Sequence, residues 1–208
     1  YVERHTRPDT LALLNGLEEI PNKEISYHGM ALKEMDLDAV LERKPELVLV
    51  DELAHNNAAG CRHLKRYQDV EELLRAGIDV YSTVNVQHLE SLHDLVASIT
   101  GISVKERIPD DVFDSAAQVE VVDIEPDDLI LRLHEGKVYK ENQAKRALNH
   151  FFTKENLAAL REIALRRTAD RLNRTAKKEK KESAARAGEH ILICLSPAPS
   201  NKKVIRTA

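Results

Sequence analysis

The chain has 208 residues, of which 42% are hydrophobic and 32% are charged. Its net charge of −4 argues against direct nucleic-acid binding, and no apolar run approaches the roughly 20 residues that a membrane-spanning helix needs. Two distant cysteines, Cys61 and Cys194, favour a reducing compartment over a disulfide-stabilised scaffold. The sequence begins at Tyr1, at what reads as the end of a strand, so we expect it to be part of a longer protein.

Strand-like and helix-like segments alternate along the chain. Apolar runs over 46–52 and 119–124 are typical of strands buried on both faces. Such alternation predicts βαβ units and an α/β fold with a mainly parallel, P-loop-like sheet. The predicted elements in chain order are a strand end at 1–3, a helix over 9–17, a strand over 23–27, a helix over 35–44, a strand over 46–52, a helix over 67–76, a strand over 78–86, a helix ending at Thr100, a strand over 119–124 and a helix beginning at Pro126.

A basic segment with helical periodicity follows. Apolar residues recur every three or four positions over 157–172, and residues 166–189 contain nine Lys or Arg against four Asp or Glu. We expect a solvated helical linker over 153–188, with contact to an acidic partner or a membrane surface as the alternative. The sequence HILICLSPAP then predicts a new strand, so the chain divides into a domain over 1–152, the linker, and the start of a second domain over 189–208.

The sequence LVLVDE, over 47–52, has the form of a Walker B strand. Such a strand delivers Asp51 to the carboxyl edge of the sheet, where α/β folds bind ligands. There Asp51 would hold magnesium through water, and Glu52, the candidate base, would orient or deprotonate an attacking water. The phosphate-binding pattern G-x-x-x-x-G-K-[ST] does not occur in the sequence, because Gly136, the one glycine followed by lysine, has Leu131 in place of the first glycine.

A second polar cluster ends the next strand, in the sequence STVNVQH. In P-loop ATPases the strand beside Walker B often presents a polar residue toward the γ-phosphate, and Thr83 or Asn85 would serve that role. The alternative is ordinary capping of helix starts by Asn85 and Ser91. The sequence leaves these two interpretations open.

The connection between the two strands contains His55, Cys61 and His63. A structural zinc site needs four ligands at supporting spacing, which one thiol and two imidazoles do not provide. A nucleophilic Cys61 paired with His63 has less support, since no oxyanion-stabilising arrangement can be argued from the sequence. We interpret the following residues as a polar loop that meets phosphate or a neighbouring domain: His55, Arg62, His63, Lys65 and Arg66.

Three stretches of the sequence carry a family resemblance. They are ELVLVDELAH (46–55), the stretch from CRHLKRYQDV to NVQHLESL (61–92), and the stretch from GKVYKENQAK to LRRTADR (136–171). Together they resemble the N-terminal cytoplasmic region of the KdpD family, the osmosensitive potassium-channel sensor histidine kinases of bacteria. The resemblance is collinear and extends over essentially the whole chain.

The resemblance implies a regulatory ATP-binding input region of a two-component sensor histidine kinase that controls potassium uptake and the osmotic response. Asp51 and Glu52 match the family's Walker B residues, and the family carries its Walker A strand, loop and helix just upstream of the position of Tyr1. The phosphotransferase chemistry belongs to downstream kinase domains of the same protein, which pass a phosphoryl group to a response regulator. The parent protein would be anchored in the bacterial cell membrane, with this region in the cytoplasm.

The resemblance also implies that residues 189–208 begin a universal-stress-protein-like domain. In some Gram-positive relatives that domain binds cyclic di-AMP, and the matching loop positions here are Ser196, Ser200, Asn201 and Arg206. Two other functions stay open: an ATP-hydrolysing P-loop enzyme in its own right, and a cyclic-dinucleotide-binding or protein-interaction module.

Overall fold

The structure, a computed structural model, describes residues 1–2, 8–27, 30–135 and 151–184. The chain forms two compact units, Tyr1–Thr168 and Ala169–Ala208, and every contact discussed below lies within the first. Its elements in chain order are α1 (Pro8–Leu13), β1 (Lys23–Tyr27), β2 (Met30–Glu34), α2 (Leu37–Arg43), β3 (Leu47–Val50), α3 (Arg66–Arg75), β4 (Asp79–Ser82), two 3-10 turns (Val86–His88 and Glu90–Leu92), α4 (His93–Thr100), α5 (Asp110–Asp114), α6 (Pro126–His134) and α7 (Lys154–Ala184).

The described strands form two small sheets. β1 and β2 pair antiparallel, with Ile25 opposite Leu32, and β3 and β4 pair parallel, with Leu49 opposite Tyr81. Because α3 connects the two parallel strands, this part of the chain is a βαβ unit, and the α/β prediction is confirmed. The prediction of one mainly parallel sheet is wrong for the described residues, since β1 and β2 make a separate antiparallel hairpin.

A further backbone segment pairs with β3. The amino nitrogen of Tyr1 donates a hydrogen bond to the carbonyl of Leu49 at 2.6 Å, and the amide of Asp51 donates to the carbonyl of Tyr1 at 2.9 Å. These two bonds have the pattern of a parallel ladder centred on Tyr1 and Val50. Tyr1 therefore pairs as the end of a parallel strand, as the sequence predicts.

The core lies against one face of the parallel pair. Val50 turns into this core and is almost fully buried, and α3 contributes Val70 and Leu73, three residues apart on one helical face. Hydrophobic residues that share this cluster come from elements throughout the first unit: Met35, Leu37, Val40, Leu53, Ala54, Ile78, Leu89 and Ile108.

The opposite face of the parallel pair is open. Leu47 and Leu49 are 44% and 38% exposed, and Tyr81, which lies opposite Leu49, is 70% exposed. Side chains alternate between the two faces of a strand, so burial of β3 is confined to the face of Val50. The prediction that residues 46–52 are buried on both faces is wrong in this structure.

The predicted strand at 119–124 does not form. These residues have no regular secondary structure, and Val122 is 95% exposed. The segment is held by ion pairs to α7 instead, since Arg161 lies 2.6 Å from the carboxylate of Asp123 and 2.7 Å from that of Glu125. β-branched residues favour an extended backbone, but a strand also needs a neighbour with unpaired backbone groups.

Helix boundaries follow local signals. The side chain of Asp36 accepts a hydrogen bond from the amide of Ala39 at 3.1 Å and so caps α2, which ends before Pro45 as predicted. Gly101, with φ of 69°, ends α4 in the left-handed conformation that glycine adopts without strain. In the described part of the chain, no helix combines the length and the apolar character needed to span a bilayer.

Replacing Leu73 by Ala should lower the free energy of unfolding by about 2–5 kcal/mol, because this fully buried side chain would leave a cavity between α3 and the sheet. Urea unfolding measures the loss. Leu74→Ala is the matched control, since Leu74 follows in the same helix but is 52% exposed. Equal losses in the two variants would contradict the packing of α3 described above.

Candidate functional site

Three of the predicted site residues meet where the parallel strands end. The hydroxyl of Thr83 donates a hydrogen bond to Oδ1 of Asp51. The amide of Glu52 donates to the same carboxylate oxygen at 3.0 Å and to the Thr83 hydroxyl oxygen at 3.1 Å. These bonds fix the Asp51 carboxylate at the carboxyl ends of β3 and β4.

The structure places Asn85 at the start of the first 3-10 turn. Asn85 directly precedes the first 3-10 turn, its carbonyl accepts a hydrogen bond from the amide of His88 at 3.0 Å, and its exposed side chain makes no capping bond. Ser91 does not cap a helix either, since its amide and hydroxyl both donate to Asp110, at 2.9 and 2.6 Å. Neither side chain therefore caps a helix, although Asn85 does hold the N-cap position of the first 3-10 turn.

The backbone of Glu52 is in the left-handed region, with φ of 54°. That conformation costs a residue with a Cβ atom about 1–2 kcal/mol, and it persists only where the surrounding structure enforces it. The peptide group between Asp51 and Glu52 is held at both ends. Its carbonyl accepts a hydrogen bond from Nη1 of Arg66 at 3.1 Å, while its amide makes the bonds to Thr83 and Asp51.

Arg66 belongs to a buried ion pair, which we call the Glu34–Arg66 pair. Arg66 is fully buried, and its Nη2 lies 3.2 Å from Oε2 of Glu34, which is 4% exposed. The guanidinium also lies over the ring of Tyr1, 4.4 Å from its centroid. Glu34 accepts a further hydrogen bond from the amide of Ala58 at 2.8 Å. Buried charges need this degree of pairing, because removing them from water is costly.

Sequence reasoning missed Glu34 entirely and placed Arg66 only in a polar loop. Glu34 ends β2, a strand that the sequence pattern did not predict, and its burial depends on where the β1–β2 hairpin packs. Arg66 stands in a run of basic and polar residues that gives no sign of burial. Local pattern alone therefore held no signal for this pair.

The two histidines of the predicted polar loop pair with different parts of the structure. Nε2 of His55 lies 3.1 Å from a carboxylate oxygen of Glu34, and its Nδ1 lies 3.9 Å from Glu106. His63 pairs instead with Glu72 of α3, at 2.7 Å. The two histidines are thus engaged by different carboxylates, and His55 is the one that adjoins the Glu34–Arg66 pair.

Cys61 is partly buried, and this burial raises the pKa of its thiol, with the nearby carboxylates of Glu34 and Asp69 adding to the shift. A raised pKa reduces the thiolate fraction and disfavours nucleophilic chemistry. Across the described ranges, no group of three or more His, Cys, Asp or Glu side chains is arranged to hold a metal ion. The second-domain candidates Ser196, Ser200, Asn201 and Arg206 lie outside the described residues.

A second buried arginine joins α7 to α5. Nη2 of Arg167 lies 2.7 Å from Asp114 and 3.2 Å from Asp110, and the guanidinium lies over the ring of Phe113, 4.7 Å from its centroid. Burial alone would raise the pKa of Asp110, but the hydrogen bonds from Ser91 and Arg167 outweigh it and hold that pKa below its ordinary value.

Comparison with known proteins identifies the class to which this α/β domain belongs. Residues 1–172 match the family model for the osmosensitive K⁺ channel His kinase sensor domain. The match covers most of the chain, so the chain belongs to this family, KdpD.

Individual relatives agree with the family match. The sensor protein KdpD of Clostridium acetobutylicum is 56% identical and that of Escherichia coli strain K12 is 53% identical, each over 100% of this chain and 24% of its own length. The putative sensor protein KdpD of a Synechocystis strain is 46% identical over 99% of this chain and 55% of its own length. The chain thus spans about a quarter of the first two relatives.

At position 52, glycine should give a more stable protein than alanine, by about 1 kcal/mol, because glycine has no Cβ to clash in the left-handed region. The same pair of substitutions at Glu162, an exposed position inside α7, should have the opposite sign, since glycine disfavours a helix interior. Chemical denaturation of the four variants tests this. Alanine more stable than glycine at both positions would show that Glu52 is unstrained.

Asp110→Asn should lower the free energy of unfolding near neutral pH by about 1.5–3 kcal/mol, the range for hydrogen bonds to a charged group. Because the folded-state pKa is lowered, this contribution is present above the unfolded pKa and is lost as the pH falls through the folded value. Wild type and variant should therefore begin to converge as the pH falls below about 4, the ordinary value for an aspartate. Thermal unfolding from pH 2 to pH 7 provides the measurement, with Asp111→Asn, an exposed neighbour in α5, as control. A gap that does not close in acid would refute the assignment.

Proposed function

We propose that the chain is the regulatory ATP-binding input region of a two-component sensor histidine kinase that controls potassium uptake and the osmotic response. The observation that supports this most directly is the meeting of Asp51, Glu52 and Thr83 at the carboxyl ends of adjacent parallel strands, in a chain of the KdpD family. Open α/β sheets bind their ligands at this edge.

Magnesium is the cation that these residues suit. Mg²⁺ prefers oxygen ligands, keeps several waters, and is bound through one or two carboxylates together with substrate phosphates. The Asp51 carboxylate, oriented by the Thr83 hydroxyl, would hold a water-coordinated ion and neutralise phosphate charge when the ion is bound. Glu52, adjacent to Asp51, would orient a water molecule.

The phosphates of ATP need backbone amides and a lysine, which this sequence does not supply in the usual pattern. We propose that sequence adjoining Tyr1 in the gene product supplies them. Two features support this. Tyr1 already pairs with β3 in the manner of a parallel strand, and the face that carries Leu47, Leu49 and Tyr81 is uncovered, whereas parallel sheets are normally covered on both faces.

The proposed role of this region is to modulate, rather than to perform, phosphoryl transfer. Downstream kinase domains of the same membrane-anchored protein would transfer a phosphoryl group to the response regulator, while this region remains in the cytoplasm. Arg167 holds the first part of α7 against α5, so a change in the first unit has a physical route into that helix. Such coupling requires ATP to bind two conformations with different affinity.

One observation favours a second candidate, ATP hydrolysis by this region itself. Glu52 follows Asp51 and has a strained backbone, and strain of that kind is concentrated at functional sites. Glu52 would then act as the base for an attacking water. The two candidate functions differ in whether ATP is hydrolysed, and both use the same residues to bind Mg-ATP.

Asp51→Asn should weaken binding of Mg-ATP to the full-length gene product by about 10- to 100-fold, since Asp51 acts on the nucleotide through the hydrated ion. Fluorescence competition provides the affinity. Asp79→Asn is the matched control, because Asp79 is an exposed aspartate at the opposite, amino end of β4. Equal affinities in wild type and Asp51→Asn would reject the proposed site.

Glu52→Gln separates the two candidates. In a regulatory region the variant should still bind Mg-ATP, with negligible turnover in both proteins. Turnover by wild type that collapses in Glu52→Gln would favour the enzyme instead.

For the second domain, we propose that Ser196, Ser200, Asn201 and Arg206 bind cyclic di-AMP. Isothermal titration of the full-length product should show binding that Ser200→Ala and Asn201→Ala abolish. Absence of binding in wild type, or undiminished binding in both variants, would remove this proposal.

A further inference from the structure

We infer that Arg66 is a positioning residue for Asp51 and Glu52, acting through the peptide group that joins them. The inference rests on the proposed function, because it assigns Arg66 to the support of the same magnesium and nucleotide site. Arg66 offers no exposed surface to a ligand, since its side chain is fully buried. Its action on a ligand is therefore indirect.

The geometry of one peptide group carries the argument. Arg66 donates to the carbonyl of Asp51 at 3.1 Å, and on the other side the amide of Glu52 donates to Thr83 and to the Asp51 carboxylate. A peptide group is planar and rigid, so it turns over as a unit. Without the bond from Arg66 it could rotate, which would take φ of Glu52 from its positive value to a negative one and relieve the strain.

Arg66 is well placed to prevent this rotation, because contacts with other described residues fix its own position. Its guanidinium pairs with Glu34 at 3.2 Å and lies over the ring of Tyr1, and its backbone amide donates to the carbonyl of His55 at 3.1 Å. These contacts hold the guanidinium where it donates to the carbonyl of Asp51. A planar guanidinium can serve Glu34 and the Asp51 carbonyl at the same time, which an ammonium group on a flexible stem does poorly.

Loss of the bond from Arg66 would alter the positions of the two acidic side chains. The orientation of the peptide group sets the directions in which the Asp51 and Glu52 side chains leave the backbone. A merely structural role for the Glu34–Arg66 pair predicts a loss of stability alone. A positioning role predicts that nucleotide affinity falls even where the fold is retained.

The test combines two substitutions that keep the interior neutral. Removing one partner of a buried ion pair leaves an uncompensated charge and destabilises the fold, whereas replacing both avoids that. We therefore choose Arg66→Met together with Glu34→Gln, whose amide oxygen can still accept the bond from Ala58. The control is Arg43→Met with Glu18→Gln, the same chemistry at an exposed pair whose Nε and Oε1 are 2.8 Å apart. Arg66→Lys, which keeps the buried charge paired, is the second test variant.

Three quantities are measured in the full-length gene product: the Mg-ATP dissociation constant, the hydrogen exchange of the Glu52 amide, and the free energy of unfolding. In the test variants we expect binding to weaken about 10- to 100-fold, with a smaller effect in Arg66→Lys. The Glu52 amide should exchange faster while amides of α3 keep their protection. The control pair should change neither binding nor exchange.

The outcomes separate this inference from the proposed function. If wild type binds Mg-ATP and both test variants bind equally well, or if Glu52 exchange is unchanged, the positioning role is overturned and the site at Asp51 stands. If wild type does not bind Mg-ATP, the proposed function fails and with it the link from Arg66 to a nucleotide.

Discussion

The Glu34–Arg66 pair is the interaction on which the arrangement of the strand ends depends. Its members come from the end of the β1–β2 hairpin and the start of α3, and the guanidinium also meets Tyr1 and the carbonyl of Asp51. Segments that are far apart in sequence are thus fixed relative to one another by one buried group. Such pairs add little net stability, because desolvation offsets their attraction. We take the role of this pair to be fixing the orientation of the Asp51–Glu52 peptide group, since the adjacent residue Glu52 has a strained backbone.

The strained backbone of Glu52 and the buried side chain of Arg66 are linked through the Asp51–Glu52 peptide group. A left-handed glutamate is unfavourable by itself, so contacts on both sides of the Asp51–Glu52 peptide must hold it. Thr83 contributes on the amide side and also orients the Asp51 carboxylate. The Asp51 carboxylate at the end of β3 is thereby held in one orientation. A short, widely occurring motif thus gains a defined geometry only in the context of its fold.

The parts of this structure that the sequence predicted are those governed by neighbours along the chain. Helix ends at Pro45 and Gly101 follow local backbone preferences, and the acidic end of β3 follows from its apolar run. The errors concern partners distant in sequence. Residues 119–124 have strand-like composition but no strand beside them, and the exposed face of β3 depends on what packs there. Glu34 is buried by tertiary packing alone, which no local pattern records.

The uncovered face of the parallel pair bears on how the chain behaves in solution. Leu47, Leu49 and Tyr81 form an apolar surface beside a strand edge, and such surfaces favour association between molecules. The net charge of −4 supplies only modest electrostatic repulsion to oppose it. Low ionic strength, which screens that repulsion least, should therefore reduce self-association of residues 1–208.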